Sequence, residues 1–379
     1  MKNLFFLISS ILATLSLHAQ DIFTSGFITN SEGAKVAAVL KNGAVLFRLE
    51  QYDKDLYSPA MAIDTTNDDI YWSVNSNPIN SISDGYGCVM KNGEILLDNV
   101  LGTCINDISL DGGDIYSGGF MNDIYDATAA VWKNGDITPI YSYCADKRRS
   151  QVLGIDAVDG VVYACGYYEE NNLRYGCVWV NGDLYASYPY CTVFDITYHD
   201  GDIYYLVNEC YTTVYKSGEM LYDLYHSDNL CNDVYDIKVT GDDVYTVGCM
   251  SYIDCFVWKN ADNLYIHPIG REAAFRACYF YGQSIYYVGY DHEDNGIIFK
   301  DGEQLYSIEN YAFYDVWVRP NNLSVDEIET DDESVVYIYN IFGELVKTVY
   351  SNINSFDIND LSAGIYVAKS GKSVVKFMK

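Results

Sequence analysis

Short apolar segments separated by polar turns recur at regular intervals along nearly the whole chain. Each interval holds four segments, and the second begins with an aliphatic residue followed by an aromatic one in most repeats. These pairs are Ile70-Tyr71, Ile115-Tyr116, Val162-Tyr163, Ile203-Tyr204, Val244-Tyr245 and Ile285-Tyr286. Segments rich in β-branched and aromatic residues, with turn residues between them, are typical of strands. The pattern predicts an all-β fold with four strands, a to d, in each repeat.

Strand c ends in Lys-Asn-Gly or a near copy of it seven times. The turn residues are Gly43, Gly93, Gly135, Gly182, Gly218 and Gly302, with Ala261 in the sixth copy. Asn-Gly favours a two-residue hairpin turn, because both of its residues readily adopt a positive φ. The mean spacing of about 43 residues is that of four-stranded propeller blades.

The two ends of the repeat array are complementary. The array begins with a strand b at residues 21–26 that no strand a precedes, and it ends with a strand a at 314–316 that no strand b follows. Together these remnants complete one blade, which closes the ring and removes its exposed edges. A linear solenoid would need polar capping repeats instead. The sequence therefore predicts a seven-bladed β-propeller over residues 20–322, closed by its N- and C-terminal strands.

The connections between strands differ in how much they vary. The a–b and c–d turns are short and nearly uniform, whereas the b–c and d–a connections vary most, at 75–87, 143–154 and 267–278. Because neighbouring strands are antiparallel, the b–c and d–a connections share one face of the ring, here called the variable face. Binding sites are expected on variable loops carried by a rigid scaffold.

Both ends of the chain lie outside the repeat. Residues 1–19 combine Lys2 with an apolar stretch from 4 to 17 and an approximate small-residue cleavage site, which predicts a signal peptide and export. Residues 323–334 are a predicted acidic linker, because like charges favour an extended chain. Residues 335–379 form a predicted small β-sandwich-like domain.

The C-terminal segment contains Tyr339-Asn340-x-x-Gly343, then Asp357-Ile358-x-x-Leu361-x-x-Gly364-x-Tyr366, and a basic-apolar end. In combination these elements resemble the C-terminal sorting domain of type IX secretion (Por system) substrates in Bacteroidetes, although the usual opening strand with a Tyr-Pro-Asn-Pro type sequence is absent. The resemblance implies that secretion machinery acts on this tail and that the protein ends at the outer-membrane surface or outside the cell. The alternative is a small β domain that merely packs on the propeller.

The blades, through blocks such as Val131-Trp132-Lys133-Asn134-Gly135, are similar to uncharacterised secreted β-propeller repeat proteins. That resemblance implies the fold and no activity.

Acidic residues outnumber basic ones by 53 to 23, and the formal net charge is −30. Nucleic acid and anionic membranes are bound through Lys and Arg, so neither is an expected partner. No segment after the signal peptide is long and apolar enough to predict a transmembrane helix. Solubility outside the cell, cation binding or a basic partner would each explain the acidic surface.

The eleven cysteines follow the repeat and form neither a Cys-x-x-Cys motif nor a Cys/His cluster with zinc spacing. No metal site and no cofactor are therefore predicted. An exported chain can form disulfides, and Cys165–Cys177 and Cys249–Cys255 are each placed to bridge a b–c hairpin. The alternative is that they are small buried residues at repeat positions.

Strand a, the innermost strand, carries an aspartate in six repeats, and Tyr279 takes its place in the other. The aspartates are Asp64, Asp107, Asp156, Asp195, Asp236 and Asp315. They could form a carboxylate ring that holds a cation and raises some of their pKa values. Alternatively, each accepts backbone N–H bonds and stitches the blades together. The repetition favours the second interpretation, because a residue that occurs in most blades is expected to stabilise each blade rather than to form one binding site.

Candidate ligand-binding residues are those that break the symmetry. In so acidic a chain, basic residues in two d–a connections stand out, together with aromatic and histidine side chains on the same face. The set is Lys147, Arg148, Arg149, Arg271, Arg276, Tyr143, Tyr188, Tyr190 and His226. An arginine fork can clamp a carboxylate or sulfate while tyrosine rings stack on a sugar. Alternatively, these side chains pair with acidic residues of neighbouring blades.

Catalytic motifs such as Gly-x-Ser-x-Gly, His-Glu-x-x-His and phosphate-binding loops are absent from the sequence. The expected function is a secreted or cell-surface binding protein, with a glycan or protein ligand on the variable face, rather than an enzyme. A hydrolase or lyase acting on acidic polysaccharides and a structural surface-layer protein are the alternatives.

Overall fold

The chain folds into a seven-bladed β-propeller, as the repeat predicts. The computed structural model describes residues 20–49, 55–76, 86–98, 103–122, 127–137, 148–209, 211–224, 232–250, 254–270, 272–320, 334–340, 345–351, 365–370 and 373–378. The predicted signal peptide and the acidic segment up to residue 333 lie outside these residues. In the part of the chain that is described, no helix has the length and apolar character that a membrane span requires.

Each blade is one antiparallel sheet whose strands run from a, at the centre, to d, at the rim. Blade 1 contains β1 (Gln20–Thr29), β2 (Lys35–Lys41) and β3 (Ala44–Leu49). Blade 2 contains β4 (Leu56–Tyr57), β5 (Met61–Asp64), β6 (Asp69–Ser76), β7 (Gly87–Lys91) and β8 (Glu94–Asp98). Blade 3 contains β9 (Thr103–Asp111), β10 (Asp114–Asn122), β11 (Ala127–Lys133) and β12 (Asp136–Ile137). Blade 4 contains β13 (Arg148–Val158), β14 (Val161–Glu170), β15 (Leu173–Val180) and β16 (Asp183–Pro189).

The remaining blades follow the same plan. Blade 5 contains β17 (Thr192–His199), β18 (Asp202–Asn208), β19 (Thr212–Lys216) and β20 (Glu219–Leu224). Blade 6 contains β21 (Asn232–Thr240), β22 (Asp243–Met250), β23 (Asp254–Lys259) and β24 (Asp262–His267). Blade 7 contains β25 (Ala274–Tyr281), β26 (Ser284–Tyr290), β27 (Gly296–Lys300) and β28 (Glu303–Ile308).

The ring closes in blade 1. The last strand of the array, β29 (Tyr311–Pro320), pairs with β1 and supplies the missing strand a. In blade 2, strand a is split into β4 and β5, which both pair with β6. Pro59 lies at this interruption and has no N–H to donate to a ladder.

The Lys-Asn-Gly block ties the c–d turn to strand b of its own blade. In the third copy, Asn134 has a φ of 50°, its Oδ1 accepts the Ile115 N–H at 2.9 Å, and its Nδ2 donates to Asp114 at 2.7 Å. Lys133 lies 2.6 Å from the same carboxylate and 5.1 Å from the Tyr116 ring centroid. The ion pair recurs as Lys41–Asp21, Lys91–Asp69, Lys216–Asp202 and Lys259–Asp243. The repeated sequence is thus a repeated set of contacts as well as a turn.

Strand b passes very close to the backbone of strand a in five blades. The residues at this approach are Gly26, Gly119, Gly166, Gly248 and Gly289. A Cβ placed on Gly26 would lie 1.9 Å from the carbonyl oxygen of Ala312, and one on Gly119 would lie 1.9 Å from that of Cys104. Glycine is required at these positions because the neighbouring atom is backbone and cannot rotate away.

Residues Asp21–Arg319 form one compact unit, and the rest of the described chain belongs to a second. Within the second unit, four strands are hydrogen-bonded in the order β31-β30-β32-β33. They are β30 (Ser334–Asn340), β31 (Leu345–Ser351), β32 (Ile365–Ser370) and β33 (Ser373–Met378). The predicted sorting role of this segment stays a prediction.

Candidate functional site

The innermost strands surround a central channel with a volume of about 930 Å³. Near its variable-face end, the wall carries one residue per blade from strand a in six blades. This mouth row consists of Asn106, Leu153, Phe194, Tyr235, Arg276 and Tyr314. In blades 3 to 7 the row coincides with a β-bulge of strand a. A bulge re-aims a side chain out of the regular alternation, which explains how these residues come to face the channel.

Arg276 is the one charged member of the mouth row, and its guanidinium lies among three tyrosines. Its Cζ is 4.0 Å from the ring centroid of Tyr235, 5.4 Å from that of Tyr290 and 5.7 Å from that of Tyr314. Its Nη2 donates a hydrogen bond to the Tyr290 hydroxyl at 2.7 Å. Cation–π attraction of this kind holds a guanidinium in place when it is removed from water. These three rings are here called the tyrosine cage.

The Arg276 guanidinium is not fully satisfied by the protein. Within the described residues, its buried Nε has no hydrogen-bond partner. No Asp or Glu oxygen of those residues lies within 4.0 Å of it, in contrast to Arg174, which is 3.2 Å from Glu169. A buried donor without a partner is costly. Arg276 therefore has unused hydrogen-bonding capacity at its buried Nε.

Arg276 and the three rings of the tyrosine cage come from four strands in three blades. Arg276 and Tyr290 come from β25 and β26 of blade 7, Tyr235 comes from β21, and Tyr314 comes from β29. The Tyr314 ring packs in turn against Phe27, with centroids 6.1 Å apart. Because each ring is anchored in a different strand, the cage is held by the propeller itself rather than by one flexible loop.

Below the mouth row, four aspartates stitch neighbouring blades together. Each accepts the backbone N–H of the equivalent strand in the next blade. The bonds are Asp107 to Ile155 at 2.8 Å, Asp195 to Ile237 at 2.9 Å, Asp236 to Cys278 at 2.6 Å and Asp315 to Met61 at 2.7 Å. The stitching interpretation is confirmed for these four. Among the described residues, no three His, Cys, Asp or Glu side chains come together as a metal site.

The predicted alignment of six aspartates was wrong for two of them. Asp156 lies one step further down the channel, level with Tyr279 rather than with the four, and accepts the Tyr198 N–H at 2.8 Å. Asp64 ends β5, and its carboxylate accepts bonds from the N–H and the hydroxyl of Thr66. The sequence contains this difference, because Asp156 and Asp64 lie six residues before the first residue of the aliphatic-aromatic pair of strand b, whereas Asp107, Asp195 and Asp236 lie eight residues before it.

The buried carboxyl groups hold less negative charge than their number suggests. Burial raises the pKa of Asp107 to about 7 and that of Asp315 to about 8. It also raises the pKa of Asp156 and of Asp195. Asp107 and Asp315 are therefore at least partly protonated near neutral pH, which reduces the negative charge of the channel wall.

Lys238 provides the second positive charge of the channel. Its Nζ lies 2.7 Å from the Asp236 carboxylate. Burial alone would raise the pKa of Asp236, but Lys238 and the hydrogen bonds outweigh burial and leave that pKa below its ordinary value. Burial would lower the pKa of Lys238, but the charges of Asp236 and Asp195 raise it well above the ordinary value. The two groups form an ion pair in which the carboxylate is buried and the lysine side chain is 38% exposed.

Asp315→Asn should reduce the pH dependence of stability. The folded state holds the Asp315 proton up to about pH 8, whereas the ordinary pKa is 3.8, so the free energy of unfolding should fall as pH rises from 4 to 8. Asparagine keeps an oxygen for the Met61 N–H but carries no charge. Relative to the original protein, the variant should gain on the order of 2 kcal/mol between pH 5 and pH 8, measured by urea unfolding.

Asp64→Asn is the matched control. Hydrogen bonds from Thr66 lower the pKa of this exposed carboxyl group. The stability that this ionised carboxylate contributes is lost only as pH falls below about 4. Between pH 5 and pH 8, the free energy of unfolding of Asp64→Asn should therefore change with pH as that of the original protein does. Parallel curves for Asp315→Asn as well would contradict the proposed protonation of the channel wall.

The structure places four of the candidate residues by their side chains. Arg276 lies in the channel wall, as described. Arg149 is exposed on β13 with a φ of 44°, and Tyr190 is 63% exposed after β16. The Tyr188 hydroxyl is hydrogen-bonded to that of Tyr205 at 2.7 Å, so its ring packs between blades 4 and 5. These three residues of blade 4 do not line the channel that contains Arg276.

The other candidates are not placed in the same way. Arg148 begins β13, where it is paired with Glu169 in the ladder. The side chain of Arg148 is not among the described parts of the chain. The remaining four candidates lie entirely outside the described residues, namely Lys147, Arg271, Tyr143 and His226.

The three tyrosines of the cage were missed from the sequence, namely Tyr235, Tyr290 and Tyr314. A signal was present for two of them. Tyr235 and Tyr314 each stand directly before a strand-a aspartate, at the place that Arg276 occupies in its own repeat. An alignment of the repeats that compares the residue directly before the aspartate would have grouped Tyr235 and Tyr314 with Arg276.

No known family model and no curated protein sequence matches the chain. Solved structures with a similar fold include the periplasmic gluconolactonase PpgL of Pseudomonas aeruginosa, with 10% identity over 78% of this chain and 99% of that one and a TM-score of 0.49. The WD40 β-propeller domain of Doa1 has 12% identity over 87% of this chain and 95% of that one, with a TM-score of 0.41. PorZ, a surface component of the type IX secretion system of Porphyromonas gingivalis, has 10% identity over 93% of this chain and 50% of that one, with a TM-score of 0.35. The similarity to each is one of fold alone.

Proposed function

We propose that the protein is an exported binding protein that recognises an acidic glycan at the variable-face end of its channel. The observation that carries the proposal is Arg276, a half-buried arginine inside the tyrosine cage whose buried Nε has no hydrogen-bond partner and which has no acidic partner among the described residues. Arginine stays charged in proteins. A ligand carboxylate or sulfate would therefore supply the missing charge and accept hydrogen bonds in a charge-assisted geometry.

The surroundings of Arg276 favour a sugar as the carrier of that charge. Tyrosine rings offer flat apolar faces together with hydroxyl groups, which suits a molecule that has both apolar and hydroxyl-bearing surfaces. The channel volume of about 930 Å³ is within the range of small-molecule sites. A segment of an acidic oligosaccharide is thus a suitable ligand in charge, size and surface chemistry.

The export part of the proposal rests on the sequence. The signal-peptide pattern of residues 1–19 and the resemblance of the C-terminal tail to a sorting domain both support a location outside the cell or at the outer-membrane surface. Acidic polysaccharides of cell surfaces and matrices would be accessible to a protein in that location.

The proposal is tested on an array of acidic and neutral glycans, with the chain from Gln20 onward and with both binding and cleavage measured. Acidic glycans should be retained and neutral ones should not. Arg276→Met should lower the affinity by about 10- to 100-fold, as expected for the loss of a charge-assisted hydrogen-bonded contact.

Arg174→Gln is the matched control, because Arg174 also lies over a tyrosine, 4.2 Å from the Tyr167 ring centroid, but is already paired with Glu169. This variant should bind as the original protein does. Cleavage of bound glycan would favour the hydrolase or lyase alternative. Absence of any acidic glycan binding would refute the proposal and leave a protein partner or a structural role.

A further inference from the structure

Eight cysteines fall in the described part of the chain, and all eight are buried. Two of them, Cys249 of β22 and Cys255 of β23, are directly opposite each other in the b–c hairpin of blade 6. Both belong to the same apolar cluster, between blades 6 and 7. Their side chains therefore point to the same side of the sheet.

The type of pairing at this position is suited to a disulfide. In the same ladder, the Asn260 N–H donates to the Val244 carbonyl at 2.9 Å, which makes Val244 and Asn260 a hydrogen-bonded pair. Hydrogen-bonded and non-hydrogen-bonded pairs alternate along antiparallel strands. Counting along the register makes Cys249 and Cys255 a non-hydrogen-bonded pair, in which Cα atoms are about 4.5 Å apart. That separation falls within the range that a disulfide spans.

The other predicted pair fails this test. Cys165 is opposite Val178, whereas Cys177 is opposite Gly166. The two cysteines therefore point to opposite faces of the sheet, and they belong to different apolar clusters. A Cys165–Cys177 bridge was thus a wrong prediction, because the sequence spacing does not reveal the register.

We propose that Cys249 and Cys255 form a cross-strand disulfide in the exported protein, an inference that rests on the export part of the proposed function. The two thiols lose two protons and two electrons as the S–S bond forms. The electrons pass to a disulfide-bearing oxidant, such as a thiol–disulfide oxidoreductase, which is reduced to its dithiol.

The bridge forms while the chain folds rather than afterwards. Burial raises the pKa of both thiols, and the thiolate is the reactive species in exchange. Once packed, the pair is also out of reach of a protein oxidant, since Cys255 is 1% and Cys249 4% exposed.

The bridge would also brace the candidate site. Cys249 interacts with Tyr235, which is one ring of the tyrosine cage. Joining β22 to β23 at this position fixes the part of blade 6 that lies behind the cage.

The test is oxidative refolding of the reduced chain from Gln20 onward in a glutathione and glutathione disulfide buffer. Remaining thiols are alkylated in denaturant, and the protein is analysed by peptide mapping. The expected result is a linked Cys249–Cys255 pair, with the other six cysteines of the described residues alkylated. Alkylation of both Cys249 and Cys255, or a bridge from either of them to another cysteine, would overturn the proposal.

Two variants sharpen the result. Cys165→Ala should leave the bridge unchanged, whereas Cys249→Ala should leave Cys255 alkylated and produce no alternative bridge. The peptide map of the original protein is informative even if a variant fails to fold. It is also independent of glycan binding, so failure of the disulfide and failure of the proposed function are distinguishable.

Discussion

Gly26→Ala should lower the free energy of unfolding by about 4 kcal/mol or more, a loss large enough to threaten folding. The added Cβ would lie 1.9 Å from the carbonyl oxygen of Ala312 on β29. Relief of this overlap requires β1 and β29 to separate, and their pairing is what closes the ring. Urea unfolding followed by tyrosine and tryptophan fluorescence measures the loss.

Gly33→Ala serves as the control for this substitution. Gly33 has a φ of +83°, and a Cβ there would meet no atom within 4 Å. The expected cost is about 1 kcal/mol, which is that of the left-handed conformation alone. If the two variants were equally stable, the described closure of blade 1 would be wrong.

Lys238→Met should cost about 2 kcal/mol, because the buried Asp236 carboxylate loses its partner while the Lys238 side chain is itself 38% exposed. The substitution leaves Asp236, which is 6% exposed, without the cation 2.7 Å away. Urea unfolding at neutral pH is the appropriate measurement, because Asp236 is ionised there.

Two comparisons separate charge from packing. Adding Asp236→Asn to Lys238→Met should recover much of the loss, because asparagine can still accept the Cys278 N–H without carrying a charge. Lys133→Met breaks the exposed Lys133–Asp114 pair and should cost less than about 1 kcal/mol. A loss for Lys238→Met as small as that for Lys133→Met would contradict a dependence of the buried Asp236 carboxylate on Lys238.

The architecture could be predicted from the sequence because its determinants are local and repeated. The Asn-Gly turns adopt the positive φ angles that their residue types favour, as at Asn134 and Gly135. The blade count followed from the complementary ends, which the pairing of β29 with β1 confirms. The pattern also occurs in seven copies, so strands and turns that are ambiguous in one copy can be assigned by comparison with the others.

The candidate site could be predicted only in part, because it depends on register between strands. Arg276 stood out in the sequence as one of few basic residues. The β-bulge that turns its side chain into the channel cannot be recognised from the sequence of this one strand. Tyr188 was indistinguishable by sequence from a ligand-facing aromatic residue, although its hydroxyl bonds to that of Tyr205. The tyrosine cage combines strands from three blades, and such proximity cannot be derived from one repeat at a time.

Calorimetric titration with two oligosaccharides of equal length, one containing glucuronate and the other glucose at the same positions, isolates the role of the ligand charge. The original protein and Arg174→Gln should bind the acidic ligand at least about 10-fold more tightly than the neutral one, and Arg276→Met should lose this preference. Equal affinities for both ligands, or a preference that survives in Arg276→Met, would contradict a binding site built around Arg276.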